Sequence, residues 1–229
     1  MLRLLPTPFR IHAAIAACLL LASGLAQAAG GHHGVDDAEL LDEGRCKLES
    51  WYERSSSSGR LLHLGAGCRV GAFELGAATE PQRQDGSSTS DHSLAIKWAT
   101  ELAPGLSAGL SASPSWQAHA RPRFQGTTAA ALLTWEAVEN VRLHGNLGRD
   151  FVHRGADESR GGVAIDWTPG GGAWQLAAER YRQEGGHFAR AGLRWTPTRD
   201  WIVDLSRAVR IRGAGESSWT IGLTREFDR

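Results

Sequence analysis

Residues 46–68 contain two runs, Cys46-Lys47-Leu48-Glu49-Ser50-Trp51-Tyr52-Glu53 and Leu62-His63-Leu64-Gly65-Ala66-Gly67-Cys68, separated by the serine-rich stretch Ser55–Ser58. Each run alternates between two kinds of side chain. Such a period of two is the pattern of a strand whose faces meet different surroundings. If the runs pair about a loop centred near Ser57, partner numbers sum to about 114. Cys46 then lies opposite Cys68, Leu48 opposite Ala66, Ser50 opposite Leu64 and Tyr52 opposite Leu62 on one face. The other face pairs Lys47 with Gly67, Glu49 with Gly65 and Trp51 with His63. Cysteines directly opposed in this way can be joined by a disulfide.

The same reading extends along the chain. Twelve alternating runs fall near 46–54, 60–69, 72–80, 93–102, 106–113, 127–136, 140–150, 160–168, 173–182, 187–196, 200–210 and 217–227. In the eleventh, Trp201, Val203 and Leu205 oppose Asp204 and Ser206; in the last, Trp219, Ile221 and Leu223 oppose Thr220, Gly222 and Thr224. Even-to-odd connections are short, as at Val70-Gly71, Ala103-Pro104-Gly105 and Pro197–Arg199. Odd-to-even connections read as longer polar loops, 81–92, 114–126 and 151–159. Short turns at one end and longer loops at the other are the arrangement of an outer-membrane barrel. The expected fold is therefore all-β, an up-and-down antiparallel transmembrane β-barrel of about twelve strands, ten being the alternative count.

Tryptophans test this independently. Trp135, Trp167, Trp174, Trp195 and Trp201 share the apolar parity near short turns, with Phe227 at the matching level of the last run. Barrels carry such rings as a girdle where headgroups meet hydrocarbon, whereas a soluble sandwich would place them mid-strand. The inward parity carries Lys47, Glu49, His63, Lys97, Arg142, His144, Asp166, Glu179, Arg190, Arg194 and Asp204, expected to line the lumen. Mixed signs there either pair and fill the lumen or, with inward glycines and serines such as Gly65, Ser111, Gly192 and Gly222, line a thin polar channel.

The N-terminus reads as an export signal. Arg3 and Arg10 precede the apolar run Ile11–Leu25, and Ala26-Gln27-Ala28 gives a small-x-small cleavage site, so residues 1–28 are expected to be removed. Residues 29–45 form a periplasmic leader or a plug, ahead of a barrel over 46–229. The 25 Lys and Arg less those two leave 23 against 25 Asp and Glu, a net charge of −2 that offers no footprint for nucleic acid. Cys46 and Cys68 are the cysteines left after cleavage, and export permits their disulfide.

His33-Gly34-Val35-Asp36-Asp37-Ala38, continuing through Gly44 to Glu49, and the mid-chain Leu143-His144-Gly145-Asn146-Leu147-Gly148 carry a resemblance. They are similar to a family of proteobacterial outer-membrane barrels labelled transporter-like or phenol-degradation-pathway-like. The closing run Trp219–Phe227 resembles the aromatic-ended last strand read by outer-membrane assembly machinery, here followed by Asp228 and Arg229. The resemblance implies a fold and a Gram-negative outer-membrane location, and carries over no catalytic residue.

The sequence holds no Gly-x-Ser-x-Gly elbow, His-Glu-x-x-His pair or phosphate-binding glycine loop. A lipid-modifying enzyme would draw on His144, Asn146 and Asp150, with His153 beyond, but that parity faces the lumen. A metal would draw on His32, His33, Asp36 and Asp37, against which stands a solvated leader or a plug. The expectation is no enzyme, no cofactor and no metal site: a narrow channel or passive transporter for a small solute, in contact with outer-membrane lipid. A closed structural or interaction barrel is the alternative.

Overall fold

The computed structural model describes residues 32–229; the expected signal peptide, residues 1–28, lies outside the described residues. Among the described residues the chain forms twelve strands: β1 (Arg45–Ser55), β2 (Arg60–Val70), β3 (Phe73–Gln84), β4 (Ser87–Ala103), β5 (Leu106–Gln117), β6 (Phe124–Val138), β7 (Val141–Val152), β8 (Glu158–Trp167), β9 (Trp174–Gln183), β10 (Gly186–Thr198), β11 (Trp201–Gly213) and β12 (Ser218–Asp228). Each pairs antiparallel with its sequence neighbours, and β1 pairs with β12, so the sheet closes on itself. Closure gives every strand two hydrogen-bonded neighbours and leaves no edge.

The first hairpin has the expected register. Cys46 faces Cys68, Trp51 faces His63 and Tyr52 faces Leu62, and a disulfide joins Cys46 to Cys68. Apolar side chains of one parity point out of the wall: Leu48, Leu64, Leu147, Val163 and Ile221 are each exposed. Charged side chains of the other parity, including Glu179, Arg190, Arg194 and Asp204, are buried. Polar inside and apolar outside is the reverse of a water-soluble barrel.

Two expected loops are corrected. Residues 81–92 are mostly strand: β3 runs to Gln84, β4 starts at Ser87, and the connection is the two-residue turn Asp85-Gly86, with φ of 50° and 80°. Positive φ at both central positions is the turn that matches strand twist. Residues 114–126 shrink to 118–123 because β5 runs to Gln117 and β6 begins at Phe124. The extensions of β3 and β4 are polar on both faces, so they carry no alternation to mark them as strands, and that of β5 is interrupted by Pro114 ahead of Trp116. Connections at the end bearing both chain termini stay short, mostly two residues, with 168–173 longer. The other end is called the far end below.

Candidate functional site

The lumen is organised by the N-terminal segment, residues 32–44, which bonds to the inner faces of strands on several sides of the barrel. Glu179 of β9 accepts hydrogen bonds from the backbone N–H groups of Gly34 and Val35 at 3.1 and 2.9 Å. Lys97 of β4 donates to Asp36 and Asp37 at 3.1 and 2.8 Å, and Asp37 is fully buried. Asn146 of β7 bonds the backbone of Asp36 on both sides with its amide turned to suit. The Ala38 N–H donates to Thr134 Oγ1, Arg142 pairs with Glu39 at 3.0 Å, and Leu41 is held by Glu74 and Arg69. Burial, joined by the neighbouring Asp37 charge, raises the Glu39 carboxyl above its usual range against the pull of Arg142.

One half of the barrel is shaped to receive this segment. A side chain at Gly162 of β8 would meet Tyr181 and Val35, one at Gly192 of β10 would lie 3.6 Å from His33, and one at Gly222 of β12 would lie 3.5 Å from His32. Gly34 itself lies flat against the Tyr181 ring, where a Cβ would clash. Val35 completes a small apolar cluster with Tyr181 and Phe188, whose rings stack at 5.2 Å. Tyr181 and Phe188 share the inward parity of Glu179 and Arg190, a signal present in the sequence that charge alone does not mark. Around them charges pair tightly. Arg194 donates to Asp204 at 2.8 Å, Arg190 lies 3.6 Å from Glu179, and His144 joins Thr134 at 2.9 Å and Asp166 at 3.3 Å. This half is filled.

The other half is open. A cavity of about 710 Å³ lies between the segment and the wall of β2 to β6. Its wall is built of small inward residues, among them Gly67, Gly76, Ala78, Ala95, Ser111, Ser113 and Ala130. The cavity reaches Lys47 and Glu74 near the terminus-bearing ends of β1 and β3, and Asp91, Gln117 and Gln125 near the far ends of β4, β5 and β6. Lys47 bonds Glu74 at 2.9 Å. The His63 ring stacks on Trp51 at 3.3 Å with Glu80 at 2.7 Å from Nδ1 and Glu49 at 3.6 Å from Nε2. At the far mouth a second cavity of about 550 Å³ is lined by five carboxylates, Glu53, Glu80, Asp91, Glu184 and Glu216, and one guanidinium, Arg190.

The structure thus divides the expected lumen residues. Lys47, Glu49, His63 and Lys97 face the open cavity. Arg142, His144, Asp166, Glu179, Arg194 and Asp204 belong to the packed half, and Arg190 spans that half and the far mouth. Trp135, Trp167, Trp174, Trp195 and Trp201 project outward and exposed near the terminus-bearing end; Phe227 on β12 is half-buried beside Cys46. Trp174 and Trp195 stack at 5.5 Å, and Arg225 covers Trp201.

Among the described residues no three His, Cys, Asp or Glu side chains are grouped to hold a metal ion. His33 turns to Glu179, Asp36 and Asp37 turn to Lys97, and burial pushes His32 down to about 2, keeping it neutral. Asp150 accepts from Thr128 at 2.6 Å, and His153 packs edge-on against Phe124 outside the strands. His144, Asn146, Asp150 and His153 therefore share no common site.

Solved barrels share this architecture. A KdgM porin superposes with a TM-score of 0.66 at 11% identity, over 79% of this chain and 99% of that one; the same porin has also been seen in complex with disordered oligogalacturonate. A NanC porin gives 0.60 at 9% identity, over 80% and 99%, and the Ralstonia pickettii toluene transporter TbuX gives 0.52 at 8%, over 82% and 90%. At such identities the likeness is one of fold. Comparison with curated proteins gives no match. A family model does match, over residues 17–227, and the chain belongs to that family, described as Uncharacterised conserved protein UCP029691.

Proposed function

We propose that this chain is a narrow channel of the Gram-negative outer membrane, passing small polar solutes along the wall of β2 to β6 and favouring cations. The observation that carries this reading is the cavity of about 710 Å³ running beside a bonded N-terminal segment. A barrel designed only as a scaffold has no need of a wall of Gly, Ala and Ser on one side. The terminus-bearing end is the periplasmic one, as short turns and the tryptophan level suggest. Trp219–Phe227 is the segment that assembly machinery would read, and the outward tryptophans would meet lipid headgroups.

The preference for cations follows from the far mouth. Five carboxylates facing one guanidinium across low-dielectric walls concentrate a negative potential there. An anionic sugar, such as the oligogalacturonate seen with KdgM, would be repelled. Fold likeness to porins and a transporter is consistent with transport and does not name the solute.

Planar-bilayer recording of the purified barrel tests the reading. A reversal potential on the cation side of a salt gradient supports it; failure to conduct under varied voltage and pH overturns it. A second reading rests on the density of bonds holding residues 32–44, which suits a closed envelope barrel. It is favoured if a deletion strain loses envelope integrity while solute uptake stays normal.

A further inference from the structure

Arginines stand in register on the outside of the wall at its far end. Arg54 of β1 lies directly opposite Arg60 of β2, and Arg60 lies directly opposite Arg83 of β3. The row continues the other way, with Trp219 of β12 opposite Arg54 and Arg207 of β11 opposite Trp219, its guanidinium 5.2 Å above the indole ring. A second cluster of outward arginines lies on different strands. Arg182 of β9 faces His187 of β10, His187 faces Arg212 of β11, and Arg180 lies two residues along on the same face.

Parity fixes their direction, and a register shift between His187 and Phe188 brings Arg212 to the face of His187. Arg54 and Arg60 share a face with the exposed Tyr52, Leu62 and Leu64, and Arg180 and Arg182 with the exposed Leu176, while Glu179 and Tyr181 between them are buried inside. Among the described residues, none of Arg54, Arg60, Arg83, Arg180, Arg182 and Arg212 has a carboxylate within the 4.0 Å that defines an ion pair. Like charges directly opposite one another weaken a strand pair. In the first row Arg54, Arg60 and Arg83 meet in this way, and in the second His187 stands between Arg182 and Arg212; an anion bound to either cluster would supply the counter-charge it lacks.

Depth says which anion. Arg182 lies eight residues from Trp174 on the same face of β9. At ~3.4 Å per residue and a tilt of ~40°, that is ~21 Å along the membrane normal, close to the far edge of an apolar band ~25 Å tall. The Arg182 guanidinium therefore reaches headgroup level. In the first row Arg207 stands six residues, ~16 Å, above Trp201 on the same face of β11, and its long side chain extends the rest of the way. Leu62, Leu64 and Leu48 form an exposed apolar track directly beneath that row. A guanidinium fork matches the oxygens of a phosphate, and a track of leucines matches acyl chains.

We propose that these two rows bind the phosphate-bearing headgroups of outer-leaflet lipid. The proposal rests on the outer-membrane location argued above. The test uses the full mature barrel in nanodiscs and three probes: bisphosphorylated lipid A, the same lipid with its phosphates removed, and inorganic phosphate. The barrel should retain the phosphorylated lipid at least tenfold better than the dephosphorylated one, with inorganic phosphate displacing it only at a hundredfold or greater excess. Arg54→Gln/Arg60→Gln/Arg83→Gln should lose most of that discrimination, and adding Arg180→Gln/Arg182→Gln/Arg212→Gln should abolish it. Should either variant fail to fold by heat-modifiable mobility, the corresponding Arg→Lys variants keep the charge, lose the fork and should give intermediate retention. Equal retention of both lipids by the native barrel, or displacement by equimolar inorganic phosphate, overturns the proposal. A barrel that sits in the outer membrane and conducts without lipid preference overturns this proposal alone; one recovered elsewhere in the cell overturns the location instead.

Discussion

Lys97→Ala is the sharpest probe of how the lumen is closed. The ammonium lies 2.8 Å from Asp37 and 3.1 Å from Asp36, and Asp37 has no exposure to water. Removing one partner of a buried ion pair costs ~3–5 kcal/mol, because the remaining charge is left without compensation. The N-terminal segment can avoid that cost by leaving the lumen, which returns both carboxylates to water. Val35 and Leu41 oppose its departure, each contributing ~1.5–3 kcal/mol of burial, together with the Glu179 bonds. At ~1.4 kcal/mol per tenfold, the variant shifts the bound-to-released ratio by a factor of roughly 10² to a few times 10³. In planar bilayers, conductance should rise about twofold or more, and a glutamyl endopeptidase should cut after Glu39 in the folded barrel. Adding Asp36→Asn and Asp37→Asn removes the uncompensated charges and should restore both the low conductance and the protection. A Lys97→Ala barrel with native conductance and native protection at Glu39 would refute the reasoning, since the segment would then not depend on that ion pair.

Three further outcomes are expected. Neutralising the far mouth with Glu80→Gln, Asp91→Asn and Glu184→Gln should bring the cation-to-anion permeability ratio close to one, read as a reversal potential near zero in a salt gradient. Replacing Cys46 and Cys68 with serine opens a cross-link between residues 22 apart and should cost about 3 kcal/mol, seen as a lower urea midpoint in detergent. The Asp200 carboxyl, in the turn before β11, is held below its usual range by its hydrogen bond from Arg45. Its contribution is present above the ordinary Asp value of about 3.9 and is lost as pH falls through the depressed one, so Asp200→Asn should flatten the acid-side loss of stability below that ordinary value.

The barrel was legible because lipid and lumen impose opposite demands on alternate residues. Leu48, Tyr52, Leu62 and Leu64 on one parity, and Lys47, Glu49 and His63 on the other, are enough to set the first hairpin and to place Cys46 beside Cys68. Where that demand ends, so does the signal. Pro81 to Ser90 has no apolar parity, and Ser113 to Gln117 is interrupted by Pro114 even though Trp116 keeps the outward parity of β5, so both read as loops, yet they continue the ladder beyond the apolar band. A strand wetted on both faces is specified by its neighbours' register, which no local pattern reports.

The lumen shows the opposite limit. Inward parity identifies its charged residues but not their partners, because those partners lie across the barrel. Glu179 holds the backbone of Gly34 from 145 positions away, and Lys97 meets Asp37 from 60. The same limit hides the division into a packed half and an open half. Gly162, Gly192 and Gly222 make room that the N-terminal segment fills, whereas Gly67, Gly76 and the small residues facing them make room that nothing among the described residues fills. Composition treats the two sets alike. They differ only in whether a thirteen-residue segment, anchored through Lys97 and Glu179, lies on one side of the barrel or the other. Small inward residues therefore locate where a lumen has space, and the charges that tether the N-terminal segment decide which of that space stays open.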